Sequence, residues 1–63
     1  MADAERALRL RDVTEVTSLS RATIERLIRE GSFPQARRMG GVVFWLASEV
    51  TAWIRACPVR TAQ

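Results

Sequence analysis

Every basic side chain in this sequence is an arginine: the composition gives ten basic residues, none of them lysine or histidine. A guanidinium holds a permanent charge and a planar fork of donors, so it matches a phosphate or the edge of a guanine better than an ammonium does. A high-GC codon bias would give the same lysine shortage with no chemistry attached. The placement of the charge is more telling. Residues 20–38 carry Arg21, Arg26, Arg29, Arg37 and Arg38 against Glu25 and Glu30, a net +3, whereas residues 1–19 carry −1 and residues 39–63 carry +1. An excess gathered in the middle third is the footprint expected for a polyanion.

Other chemistries have few residues to draw on. Without histidine there is neither a Ser-His nor a Cys-His pair, and one cysteine, Cys57, leaves no ordinary zinc site. The glycines form neither a phosphate-binding loop nor a dinucleotide fingerprint. The expectation is therefore no enzyme, no cofactor and no metal. A lone cysteine also excludes an intrachain disulfide and fits a reducing, cytoplasmic setting. The first residues are charged, with no apolar stretch of signal-peptide length, and the longest apolar run, Val42 to Ala47, is too short to span a bilayer. No membrane role is expected.

The arginines must be positioned by local structure, and the sequence is explicit about part of it. Ser20 is a good N-cap, Leu19 and Ile24 are spaced as a hydrophobic staple, and Gly31 supplies a left-handed terminator. Together they predict a helix at about 21–30. Ile24, Leu27 and Ile28 form its apolar stripe, so Ala22, Glu25, Arg26 and Arg29 lie opposite, with Arg21 at the edge. A shorter helix precedes it, predicted to start at Asp12 as N-cap with Glu15 completing a capping box and to end near Thr17 or Ser18; Val13, Val16 and Leu19 keep helical spacing. Ser18-Leu19-Ser20 is then a three-residue turn.

Residues 1–7 are small and charged, which suits a flexible end, and Leu8-Arg9-Leu10 suits a short strand or extended lead-in. Ala36 to Met39, Gly40-Gly41 and Val42 to Leu46 predict a β-hairpin. A last helix starts near Ala47 or Ser48, places Val50, Trp53, Ile54 and Cys57 on one face, and stops at Pro58. Phe33, Trp45 and Trp53 are assigned to the core rather than to base stacking, and Cys57 is read as a small buried apolar residue. Phe44 falls on the strand face opposite Val43 and Trp45 and is left open. The fold class is mainly α with a small β-hairpin, a winged helix-turn-helix in the order strand, helix, helix, hairpin, helix. It occupies residues 8–57, with a flexible tail at 58–63.

Two short helices across a three-residue turn fit a helix-turn-helix, whose second helix enters the major groove of DNA. The candidate contacts on that helix are Ser20, Arg21, Ala22, Thr23, Glu25, Arg26 and Arg29. Its first turn, with Ser20 and Thr23, presents free N–H groups to a phosphate. Arg26 and Arg29 are placed for base edges or phosphate, and Ala22 is small enough to approach a thymine methyl. Arg37 and Arg38 are the candidate wing contacts, to backbone or minor groove. Each assignment has a plainer counterpart. Arg26 can pair with Glu30 and Glu25 with Arg21 or Arg29, and strand arginines also protect a sheet edge.

The run Leu8-Arg9-Leu10-Arg11-Asp12-Val13, then Leu19-Ser20-Arg21-Ala22-Thr23-Ile24, Arg26-Leu27-Ile28-Arg29-Glu30-Gly31, Phe33-Pro34, Gly40-Gly41 and Trp45-Leu46-Ala47-Ser48-Glu49-Val50-Thr51-Ala52-Trp53-Ile54 resembles the AlpA-type phage transcriptional regulators, within the MerR-like and excisionase-like winged helix-turn-helix group. The resemblance covers about residues 8–57. It implies binding to double-stranded DNA, with the helix at 21–30 in the major groove and the hairpin as wing. It also implies a role in transcription of phage, prophage or mobile-element genes, or an excisionase-type architectural role that directs a site-specific recombinase. Candidate partners are then duplex DNA, a second copy of the chain on DNA, and an integrase or the transcription machinery. In that family a glycine is common where Ser18 stands, a tyrosine where Glu25 stands, and a basic residue after the hairpin turn. The reading from a different class is a basic protein-interaction module that docks on an acidic partner without DNA.

Overall fold

A computed structural model describes residues 5–60. The elements run β1 (Ala7–Leu8), α1 (Leu10–Thr17), α2 (Arg21–Arg29), β2 (Arg37–Met39), β3 (Val42–Leu46) and α3 (Ala47–Ala56). This is the strand, helix, helix, hairpin, helix order of a winged helix-turn-helix. β3 is the middle strand of an antiparallel sheet ordered β1-β3-β2, with Leu8 opposite Trp45 on one side and Arg37 opposite Phe44 on the other.

α2 is bounded by the expected signals. The Ser20 hydroxyl accepts the N–H of Thr23 at 3.1 Å, which satisfies one of the free donors of the first turn. At the far end Gly31 takes φ +76°. Its N–H bonds the carbonyl of Ile28, and that of Ser32 bonds the carbonyl of Leu27. The paired bonds make a Schellman ending, which requires a left-handed residue where Gly31 stands.

α1 corrects the expectation. It begins at Leu10, not after Asp12, and its N-cap is Arg9. Asp12 serves as the acid of the box: its Oδ2 accepts the N–H of Arg9 at 3.0 Å. Leu10 thus belongs to the helix and not to a strand. At the other end Ser18 takes φ +64°, a left-handed value for a residue with a Cβ.

The core takes one buried residue from each of β1, α1, α2, β3 and α3: Leu8, Val13, Ile24, Trp45 and Val50. Phe33, from the loop after α2, is the sixth, and its ring meets Trp45 edge-on at 6.2 Å and Trp53 at 4.7 Å. Both indoles are anchored by hydrogen bonds, Trp45 Nε1 to the carbonyl of Pro34 and Trp53 Nε1 to that of Ser32. Leu10, Leu19, Leu27, Ala47 and Trp53 pack around this centre.

The apolar stripes are only partly covered. Val16, Ile28 and Ile54 are exposed, and Cys57 is exposed rather than buried. Helical spacing identifies a face, but so small a body has no neighbour to cover the outer end of each stripe. β2 is exposed along its length, beginning at Arg37 and not Ala36, and Phe44 is half-buried. The hairpin therefore projects from the core as a wing, turning at Gly40 (φ +61°) and Gly41.

The N-terminal lead-in is tied down from Glu5 onward. Ala47 donates its N–H to the carbonyl of Arg6, and the Glu5 carboxylate accepts both the N–H and the hydroxyl of Ser48. Glu5 thus caps α3, whose own N-cap Leu46 has no side-chain acceptor. Of the expected flexible ends at 1–7 and 58–63, residues 1–4 and 61–63 lie outside the described residues, while Ala7 belongs to β1.

Candidate nucleic-acid interface

The exposed side of α2 carries Arg21, Ala22, Glu25, Arg26 and Arg29. The fold puts them there because Ile24 and Leu27 are drawn to the core. Thr23 is half-buried and its hydroxyl lies 3.0 Å from that of Ser20, so these two shape the first turn of the helix.

The arginines differ in what already holds them. Arg21 pairs with Glu25 at 3.5 Å and Arg26 with Glu30 at 3.3 Å. Both pairs are one turn apart and exposed, and such pairs contribute roughly 0.2–0.5 kcal/mol. Water and an incoming phosphate can displace them at little cost. Among the described residues, Arg29 has no carboxylate within ion-pair distance. Of the two partners open to Glu25, the fold uses Arg21, one turn back along the helix, and leaves Arg29 as the arginine of the exposed face without an ion pair among the described residues.

On the wing, antiparallel pairing puts Arg37 and Met39 on one face with Phe44 and Val42, and Arg38 on the other with Val43 and Trp45. Arg37 is engaged inside the molecule: its two nitrogens meet the Glu49 carboxylate of α3 at 2.6 and 3.4 Å. The hydrogen bond to Glu49, reinforced by its charge, holds the Arg37 guanidinium above its ordinary pKa. This bidentate pair joins the wing to α3. Arg38 has no such partner among the described residues. Glu49 was not singled out from the sequence, because nothing local signals a contact across twelve positions.

A groove opens where the core ends. Arg9, Leu10, Arg11 and Asp12 form one wall, and Gly41, Val43 and Trp45 form the other. No residue of it was among the sequence-derived site residues, although Arg9-Leu10-Arg11 is a visible basic pair.

Residues 6–58 match the family described as Prophage CP4-57 regulatory protein (AlpA). The chain belongs to this AlpA family of prophage regulatory proteins. Among curated proteins, an uncharacterized protein of Enterobacteria phage P4, ORF88, is 53% identical over 51 residues, which is 79% of this chain and 58% of that protein. The chain thus spans little more than half the length of that relative. No solved structure matches it. The AlpA match spans β1 to the end of α3, so the helix pair, the wing and the groove all fall within the family segment. Among the described residues no group of His, Cys, Asp or Glu could hold a metal ion, and no helix is long and apolar enough to cross a membrane.

Proposed function

We propose that this AlpA-family chain is a double-stranded-DNA-binding transcriptional regulator of phage, prophage or mobile-element genes. It acts by occupying a site, with α2 in the major groove and the hairpin beside it. The observation that carries this reading is the exposed face of α2, which follows a three-residue turn and presents Arg21, Ala22, Arg26 and Arg29 away from the core. A helix offering arginines on a rigid, capped support suits base edges and phosphates. Arg29 and Arg26 are the proposed base-edge contacts, with Ala22 allowing close approach. Ser20, Thr23 and Arg21 bind phosphate at the start of the helix. Glu25 limits which bases are accepted, because a carboxylate favours a cytosine amine and repels phosphate. Arg38 is the proposed wing contact, while Arg37 with Glu49 sets the angle of the wing.

The test is selection of bound sites from random duplexes, followed by titration of the selected site at several salt concentrations. The two arginines assigned to the DNA backbone, Arg21 and Arg38, give a slope of log affinity on log salt of roughly −2, and each further arginine on a phosphate steepens it by about one unit. A slope near zero would sink the nucleic-acid reading and favour a protein partner. A promoter reporter run beside an excision assay with the recombinase then distinguishes regulation from excisionase-type activity.

A further inference from the structure

β2 is an edge strand with one side unused. The sheet order β1-β3-β2 leaves it bonded to β3 alone, and Arg37, Arg38 and Met39 are all exposed. Met39 faces Val42 across the two-residue Gly40-Gly41 turn. The pair that closes such a turn is hydrogen-bonded, and antiparallel pairs alternate, so Met39 and Arg37 direct their backbone groups to β3. The N–H and carbonyl of Arg38 then point to the free edge. Ala36, two residues back, has the same phase and makes no backbone hydrogen bond among the described residues. Beside this edge is an open slot of about 560 Å³, with Pro34, Gln35, Ala36 and Arg37 on one wall and Glu49 and Ala52 of α3 on the other. A sheet edge next to a slot suits an extended peptide: the edge bonds its backbone and the slot takes an alternate side chain. The acid of the slot, Glu49, is already paired with Arg37, and among the described residues Arg38 has no carboxylate within ion-pair distance. A second copy is a poor occupant, because pairing β2 with itself about Arg38 sets one guanidinium against another, and like charges directly opposite destabilise a ladder. The same charge favours a strand with acidic side chains.

We propose that the β2 edge docks an extended, acidic segment of a partner protein. The segment adds as a fourth strand through the backbone of Ala36 and Arg38, sets a carboxylate against the Arg38 guanidinium and lays an alternate side chain in the slot against Ala52. The site goes beyond the DNA-binding reading and does not depend on it, since it uses backbone groups of the wing and a slot apart from α2. Arg38 is also the proposed wing contact, so the partner and DNA compete for its charge.

The test titrates the full chain with two end-blocked heptapeptides, one alternating glutamate with valine and one alternating lysine with valine, up to millimolar concentration. Backbone amide NMR follows the binding. The glutamate peptide should shift the amides of Ala36, Arg38 and Ala52 and slow hydrogen exchange at the first two, while those of Arg26 and Arg29 on α2 stay in place. The lysine peptide should bind about fivefold more weakly. A glutamate peptide N-methylated at every residue keeps the charge but has no backbone donors, so it should not bind. Arg38→Glu should reverse the preference and take the lysine peptide over the glutamate peptide by a similar factor. The proposal is overturned if no β2 amide responds to the glutamate peptide, if the N-methylated peptide binds as well as the parent, or if the responding amides lie on α2 alone. Unreversed preference in a folded Arg38→Glu chain overturns it too. Should that variant lose its helix content by circular dichroism, the N-methylated comparison on the wild type decides alone.

Discussion

Side chains of the same type differ here by the acid each one meets. Arg37 is held by two contacts to Glu49, Arg21 and Arg26 by one exposed carboxylate each, and Arg29 by none among the described residues. Binding through Arg29 sacrifices no internal contact, so its removal should be the most costly on α2. Arg29→Ala should lose about 1–3 kcal/mol on the selected site and flatten discrimination at one or two base pairs. If every duplex weakens equally instead, Arg29 meets only phosphate. Glu5 allows a prediction without DNA. Its hydrogen bonds to the hydroxyl and N–H of Ser48 hold its carboxyl below the ordinary value of 4.5. A carboxyl whose pKa is lower folded than unfolded stabilises the fold above the unfolded value, and that contribution is lost as pH falls through the folded one. The wild type should therefore melt above Glu5→Gln at neutral pH, with the gap closing below about pH 4.5. A gap that persists at pH 2 would assign the effect to shape rather than charge. The arginine set was legible as a set, but not which member was free, because the pairings depend on rotamers and on a contact between Arg37 and Glu49 that only the folded wing creates.

Elements were legible where a side chain or glycine marks the end. Both ends of α2 were readable because Ser20 has a cap oxygen and Gly31 tolerates a positive φ. The start of α1 was misread because the true N-cap, Arg9, has no acceptor, and the stabilising carboxylate comes from Asp12, three residues later. Asp12 looks like a cap in the sequence, and the geometry makes it the reciprocal partner. The cap of α3 was invisible for a related reason: Glu5 supplies it from 43 positions away. The turn between α1 and α2 gives the prediction at this scale. Ser18 is left-handed at φ +64° and exposed, and a Cβ there costs roughly 1–2 kcal/mol. Glycine would remove that cost but adds about 0.5–1 kcal/mol of backbone entropy on folding. The balance favours Ser18→Gly by about 0.5–1 kcal/mol, a rise of a few degrees in Tm for a domain this size. Gly31→Ala should act in the opposite direction by about 1 kcal/mol, because the Schellman ending needs its positive φ. Thermal melts of the two variants check both signs, and equal Tm values would show that these turns relax without strain.

At the scale of the whole molecule, the fold is a small core with arginines on its projections. Its six buried residues come from five elements and one loop, so each element depends on the others for cover. Truncating Trp45, which fills the centre and holds the Pro34 carbonyl, should cost about 3–5 kcal/mol. Most of the stability of so short a chain would go with it. Marginal stability also makes the domain a sensitive reporter of its ligand. Anything that binds only the folded state adds RT ln(1 + [L]/Kd), about 2.7 kcal/mol at a hundredfold excess over Kd. One kcal/mol moves the Tm of a domain this small by about 4–8 °C, so saturating duplex DNA should raise it by roughly 10–20 °C. The rise should shrink as salt is added, since salt reduces the gain from counterion release and so weakens the complex without unfolding the free protein. The measurement is a melt followed by tryptophan fluorescence, since Trp45 and Trp53 both pack on Phe33 and report loss of the core. A Tm indifferent to duplex at low salt would mean that DNA does not select the folded state, and the arginine surface would then need a different partner.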